Sequence, residues 1–354
     1  MSSQIALRGI LTILLCQFGL FAFAEPVSGL YEAEVAVADQ EASTRNAAAR
    51  TGFGMVLVKV SGSTQVLQNP LVSAALAEGP SQLQQFYFRR SELPPRDNAA
   101  APELLLHMSF APAAVLDILR RAGEPQLSPN RPGTLLWLAL DEGAGPRILN
   151  PETDGTVVGW LRMDGTRRGV PLLFPALDLE DSMAVSAEQV AALDAAVLLP
   201  ASQRYGADAI VIGRLLRASD GQWAGEWQQQ IDGETVFGQA SAASVDALGA
   251  QLVDALAETL AQRYAVRSDL EHAEQLRIRI DGVRSFASYW QLSGMLKGLA
   301  SVRHFQLALV DRDTLFFDLS SDASIESIEK ELSLVRSLHQ EGTAGELHYR
   351  WAGG

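Results

Sequence analysis

Residues 275–281 read QLRIRID: Leu276, Ile278 and Ile280 alternate with Arg277 and Arg279. A period of two with one apolar face marks a strand lying on a core. Downstream, Phe286, Tyr289, Trp290, Ser293, Leu296 and Leu299 recur at helical spacing and predict one helix face turned inward. Two further strand-like stretches, residues 302–310 and 314–319, flank Asp311-Arg312-Asp313, a tight hairpin signal. A second stripe of Ile325, Ile328, Leu332, Val335 and Leu338 predicts another helix, and residues 346–351 close as a strand. The order β-α-β-β-α-β is that of a ferredoxin-like sandwich, a fold that hosts many unrelated functions.

Working upstream, residues 207–216 (ADAIVIGRLL) read as a buried strand, followed by strands at 225–231 and 236–240 across a turn at Asp232-Gly233. A long helix then carries Val245, Leu248, Leu252, Leu256, Leu260 and Tyr264 on one stripe. Ahead of these lie an apolar strand at 170–178 (VPLLFPALD) and a looser stretch, 141–170, rich in Gly, Asp and Arg and expected to hold turns or an irregular hairpin. Further upstream, residues 30–37 alternate, and Ala42, Ala49, Phe53, Val56 and Val60 follow at helical spacing with Asp39 placed to cap them. Strands at 84–90, 103–110 and 134–140 and a helix at 113–122 complete that part. The fold class expected is therefore α/β and α+β in three small modules. These are residues 25–145, residues 146–268 with a mixed sheet and packed helices, and the ferredoxin-like residues 269–354.

Residues 1–24 read as a secretory signal peptide: Arg8 precedes the apolar run at 9–24, which ends in Ala22-Phe23-Ala24. The run is shorter than the roughly 20 residues that span a bilayer, so cleavage is expected rather than anchoring. The single cysteine, Cys16, lies inside it, behind the large Leu15 where a lipid-modified site needs a small residue; beyond Ala24 the chain has neither disulfide nor thiol nucleophile. The 354 residues carry 28 Lys+Arg against 42 Asp+Glu, a formal charge of −14. A surface so acidic repels phosphate backbones, so nucleic acid is not an expected partner.

Several stretches resemble an exported Gram-negative domain-of-unknown-function family, the one numbered two-thousand-sixty-six. They are residues 30–39 (LYEAEVAVAD), 45–62 (RNAAARTGFGMVLVKVSG), 115–140 with Asn130-Arg131-Pro132, 168–181 (RGVPLLFPALDLED) and 206–215 (GADAIVIGRL). Leu127 departs from the pattern, which tends to carry a tryptophan there. The resemblance implies an exported cell-envelope protein and supplies no catalytic residue. Residues 206–216 with the elements after them are also similar, at fold level, to the α/β modules of outer-membrane accessory and assembly factors, which bind other envelope proteins.

Chemistry-bearing patterns are sparse. The histidines, His107, His272, His304, His339 and His348, form no HxH or HxxxH pair, so no metal site is expected. Asp311-x-Asp313 reads as turn aspartates. Asp178, Glu180 and Asp181 offer paired carboxylates, which as a general acid/base pair need pKa values pushed apart; their place before a helix favours charge compensation at its start. The chain has no Gly-x-Ser-x-Gly and no Gly-x-x-x-x-Gly-Lys-Ser/Thr string, and Gly52-Phe53-Gly54 falls inside a predicted helix. Trp160, Arg162, Arg167 and Arg168 form a candidate binding surface on the looser stretch, since Arg and Trp are enriched at interaction hot spots. Arg131 joins that set, with a competing role as a structural arginine that satisfies loop carbonyls or a carboxylate.

The expectation is an exported periplasmic protein that binds an envelope protein partner, with no cofactor and no transmembrane helix after cleavage. The alternatives are a hydrolase built on residues 178–181 and a small-ligand binder at a module junction. N-terminal sequencing of the exported protein is predicted to begin at Glu25; a start at Met1 overturns the export reading.

Overall fold

A computed structural model describes residues 27–94, 104–267, 274–343 and 345–353. The signal-peptide assignment, most of the Pro/Ala-rich stretch after Leu93 and His272 lie outside the described residues. The described chain forms three sheets with helices packed on them, parallel and antiparallel pairings being mixed, which is the expected α/β and α+β class.

The first sheet is antiparallel, in the order β1-β3-β2, from β1 (Glu32–Val37), β2 (Leu83–Arg89) and β3 (Leu104–Phe110). The 20-residue α1 (Ala42–Ser61) lies across it, with α2 (Pro70–Ala75), α3 (Gly79–Gln82) and α4 (Pro112–Arg121) around its end. Phe53, Val56, Leu57 and Val60 of α1 bury against Leu106, Met108 and Phe110 of β3 and Leu119 of α4. Asp39 sits two residues ahead of the α1 cap, Glu41, and accepts from the Glu41 N–H rather than capping the helix itself.

The middle sheet runs β5-β4-β7-β8-β9, with β6 pairing β4. Its strands are β4 (Thr134–Asp141), β5 (Arg147–Ile148), β6 (Leu172–Leu173), β7 (Ala209–Arg217), β8 (Trp223–Ile231) and β9 (Glu234–Ala242). Here β4 pairs in parallel with β7, whereas β7, β8 and β9 form an antiparallel meander. Residues 134–140, expected with the residues before them, belong to the middle sheet through their ladder with β7. Strand β4 is an unbroken apolar run because both faces are covered. On one side are α5 (Gly155–Arg168) and α9 (Val245–Tyr264), which bury Leu161, Leu252 and Leu256 against Leu136 and Leu138. On the other, α7 (Ala187–Ala191) and α8 (Ala195–Ser202), which follow α6 (Leu179–Ala184), bury Val190 and Leu198 against Leu135 and Trp137.

Two expectations are corrected here. Residues 155–168, within the stretch expected to be irregular, are the helix α5. Its inward stripe is Val158, Leu161, Asp164, Gly165 and Arg168; two of these five are charged and one is glycine, so the apolar periodicity does not show. The strand expected over 170–178 shrinks to the two residues of β6, because Pro171 and Pro175 cannot donate to a ladder. The Asp232-Gly233 turn stands, both residues having positive φ (48° and 78°) as a tight two-residue hairpin requires.

The last sheet has the order β11-β12-β10-β14-β13: β10 (Glu274–Asp281), β11 (Val302–Asp311), β12 (Thr314–Ser321), β13 (Leu338–Gln340) and β14 (His348–Trp351). Only β10 and β14 pair in parallel. Helices α10 (Phe286–Gly298) and α11 (Ile325–Ser333) start on the side-chain caps Ser285 and Ser324. They bury Leu292, Leu296, Ile328 and Leu332 against Ile278, Ile280, Phe317 and Leu319. Asp311-Arg312-Asp313 is the hairpin turn, with Arg312 at φ 57°. The stripe extrapolated to Leu338 stops at Ser333, and Leu338 opens the additional strand β13. Phe286 and Trp290, expected inward, are 76% and 69% exposed. Among the described residues no helix is long and apolar enough to cross a membrane.

Trp227 of β8 faces Gly238 of β9, and its indole lies where a Cβ would stand, 2.3 Å from that position. Gly238→Ala should lower the urea unfolding free energy by about 2 kcal/mol through this overpacking, with a shift in Trp227 emission; an unchanged midpoint refutes the contact.

Candidate functional site

Helix ends leave their last carbonyls without intrahelical donors. Two such ends meet between the first and middle sheets: α1 closes on Gly62 and α5 on Gly169, both left-handed at φ 82° and 67°. Arg131 stands between them. Its Nη2 donates to the Lys59 carbonyl (2.6 Å), its Nη1 to those of Arg168 (3.1 Å) and Gly169 (3.0 Å), and its Nε to that of Ser128 (3.2 Å). A planar fork of five donors suits this task as an ammonium does not. Gly169 is required twice over, since a Cβ there would fall 2.6 Å from Arg131 Nη1.

Arg168 crosses in the opposite direction. Its Nη2 donates to the Gly62 carbonyl (2.8 Å) and Glu258 Oε1 (3.1 Å), and its Nη1 to Asp254 Oδ1 (2.7 Å). Arg167 reaches Asp164 and Asp254 from the rim. Lys59 donates to the Gly29 and Glu32 carbonyls. Burial, with Arg168 adding repulsion, pushes Arg131 down to about 9; burial and the Arg131 charge push Lys59 down to about 8.

On the outer side of this node opens a cleft of about 750 Å³ where all three parts of the chain meet. Ser63 and Gln65 line it from the first, Glu258 and Arg267 from the middle, and Asp322 and Ser324 from the last. Asp322 is held by Arg303, while Glu258 accepts from Arg168 and Thr64. Burial raises the Glu258 pKa, but these hydrogen bonds outweigh it and leave the group below its usual range.

The five residues singled out as a binding surface thus divide. Arg131 and Arg168 are 7% and 1% exposed and occupied by the node, and Arg167 lies at its edge. Trp160 and Arg162 lie elsewhere on α5, Trp160 donating to the Pro94 carbonyl (3.4 Å) and Arg162 covering the Phe174 ring. The single loop patch expected from the sequence is corrected, because a helix distributes neighbouring residues around its circumference.

The carboxylates at 178–181 are likewise committed. Asp178 caps α6 and receives both Nη atoms of Arg204 (2.8 and 2.7 Å), an ion pair that holds its carboxyl far below the usual range. Asp181 accepts from Arg204, from the Leu177 N–H and from the Tyr205 hydroxyl, while Glu180 is exposed. Tyr205 is raised to about 12 by burial and its bond to Asp181. A general acid needs a raised carboxyl. Asp178 is shifted the other way, and Asp181 is already engaged by Arg204 and Tyr205.

What the sequence reading missed lies in the last sheet. The apolar stripe of α10 hid two outward aromatics, Phe286 and Trp290, whose ring centroids are 6.4 Å apart. Phe286 also meets Tyr289, which stacks on Phe317, and Phe317 meets Phe305 of the edge strand β11. That edge leaves Leu307, Leu309 and Val310 in solvent.

Arg131→Met should cost about 3–5 kcal/mol in urea unfolding, with faster amide exchange at the ends of α1 and α5, because buried carbonyls lose their donors; Arg131→Lys should not restore it. Lys59 gives a pH test. Its folded pKa near 8 lies below the unfolded value near 10.4, so between these the unfolded chain binds more protons and stability rises with pH. Over pH 8 to 10.5 the wild type should gain up to about 3 kcal/mol relative to Lys59→Met; parallel profiles refute the buried ammonium.

Residues 24–128 match a family described as Domain of unknown function (DUF8605), under a third of the chain. This overturns the resemblance to the family numbered two-thousand-sixty-six: the match is to a different family. The stretches that carried the resemblance are an alternating strand, an Ala-rich helix and buried strands, patterns that any α/β layering imposes. No curated protein matches the chain. Among solved structures, a crystal structure of an uncharacterized protein is similar over 38% of this chain and 91% of its own, at 11% identity and a TM-score of 0.18.

Proposed function

We propose that this is an exported, periplasmic protein that acts by binding other proteins of the cell envelope. The observation that carries the reading is the outward pair Phe286 and Trp290, one helical turn apart on α10 and joined through Tyr289, Phe317 and Phe305 to the edge strand β11. Large aromatics left in water cost solvation and are the residue types that anchor protein interfaces. The edge strand beside them carries apolar Leu307, Leu309 and Val310 without an intervening charge or proline, a profile suited to receiving an extended segment. The apolar run of residues 9–24 supports the export part, and the strand order β11-β12-β10-β14 supports a ferredoxin-like reading of the platform that bears the aromatics.

A second reading has its own observation, the junction cleft of about 750 Å³ lined by polar side chains from all three parts of the chain. A small polar ligand there raises the melting temperature, because it binds only the native state.

Crosslinking in intact cells tests the main reading. Wild-type protein should give a defined heteromeric adduct that Phe286→Ser/Trp290→Ser reduces at least about tenfold, whereas Leu179→Ser, at another exposed apolar side chain, leaves it unchanged. No adduct, or one insensitive to the aromatic pair, overturns it; a melting shift with an envelope metabolite, abolished by Arg267→Ala, supports the cleft instead.

A further inference from the structure

Strand pairing sets three side chains, far apart in sequence, in a lateral row on the face of the last sheet away from its helices. Ile280 and Tyr349 point into the core, so their neighbours Asp281 and His348 point out. Glu341 joins them because its N–H donates to the His348 carbonyl (2.9 Å) directly after β13. One ligand-type atom from each of Asp281, Glu341 and His348 lies within 4.8 Å of the others. His348 Nε2 stands 2.8 Å from Asp281 Oδ2 and 3.6 Å from Glu341 Oε2. Ligand atoms around a tetrahedral zinc with bonds near 2.1 Å are about 3.4 Å apart. Small side-chain rotations span the difference.

The surroundings orient each carboxylate. Asp281 Oδ1 takes Arg279 Nε (3.0 Å) and Thr314 Oγ1 (2.7 Å), leaving Oδ2 for His348. Glu341 Oε1 takes Arg350 Nε, and its Oε2, held more loosely by Arg350 Nη2 (3.2 Å), faces the imidazole. Partners on the far oxygen fix ligand direction in metal sites. Three protein ligands leave the fourth position of a tetrahedral site to water.

His107 provides the contrast. It too sits beside two carboxylates, Glu32 and Glu34, on the first sheet. There the Arg89 fork holds both oxygens of Glu34 at 2.6 Å, tighter than the 3.2 Å between Arg350 Nη2 and Glu341 Oε2, and the imidazole stacks on Tyr87.

We infer that Asp281, Glu341 and His348 form a binding site for a divalent transition-metal ion of the zinc class, with one imidazole, two carboxylates and an open water position. The sequence assigned no metal because its histidines are scattered; the site exists only through the pairing of β13, β14 and β10. Calorimetric titration of metal-free protein with zinc should show one site. His348→Ala and Asp281→Asn should weaken it at least about tenfold, while His107→Ala leaves it unchanged. Cobalt in place of zinc should give a visible band that His348→Ala removes. Should His348→Ala fail to fold, zinc-dependent shifts of the His348 imidazole resonances in the wild-type protein decide the matter. Absence of zinc binding, binding indifferent to His348, or an unshifted His348 resonance overturns the assignment.

Discussion

A guanidinium surrounded by carbonyls instead of carboxylates governs how this chain is put together. Arg131 carries its charge into a buried position and, among the described residues, meets no carboxylate in direct contact; it meets the ends of α1 and α5, where the negative poles of two helices converge. Four hydrogen bonds and two helix poles do the compensating that an ion pair does elsewhere. Arg168 repeats the device in mirror image, closing α1 through Gly62 while its other donors hold α9 through Asp254 and Glu258. The same few atoms therefore terminate two helices, join two sheets and, through Arg168, hold Glu258 at the junction cleft. Left-handed glycines are needed at both ends because a side chain would occupy the guanidinium's place or clash with Leu127 and Ala261.

Apolar patterning made much of this fold legible. The alternation at 275–281, the stripe from Val245 to Tyr264 and the Asp232-Gly233 turn each follow from one local rule, and each element lies where that rule puts it. Legibility ends where burial is achieved with polar atoms. Helix α5 is the sharpest instance: Asp164, Gly165 and Arg168 occupy inward positions that a reader of hydrophobicity takes for solvent. Partnership between strands is the other blind spot. Nothing local in TLLWLAL says that it will lie beside β7 and not beside β3; only its coverage on both faces, a tertiary fact, decides it.

The candidate functional features were less legible for related reasons. Arg131 was readable as a structural arginine from its place before a proline, whereas the destination of Arg167 and Arg168 depended on α5 being a helix. The outward turn of Phe286 and Trp290 is invisible to helical periodicity, since a stripe gives direction around the axis and not how far the supporting sheet extends beneath it. Asp281, Glu341 and His348 converge only after a parallel and an antiparallel pairing are both in place, which no spacing rule encodes.

The arginine lock also bears on where this protein divides. The stretch matched to DUF8605 ends at residue 128, three positions before Arg131. A fragment cut at that boundary would keep α1 and lose the donor that finishes it, along with Arg168 from farther downstream. The matched stretch and the set of hydrogen bonds that finishes α1 are thus offset along the chain. Moved to another scaffold, the matched segment would need new donors at the end of α1 to replace these bonds.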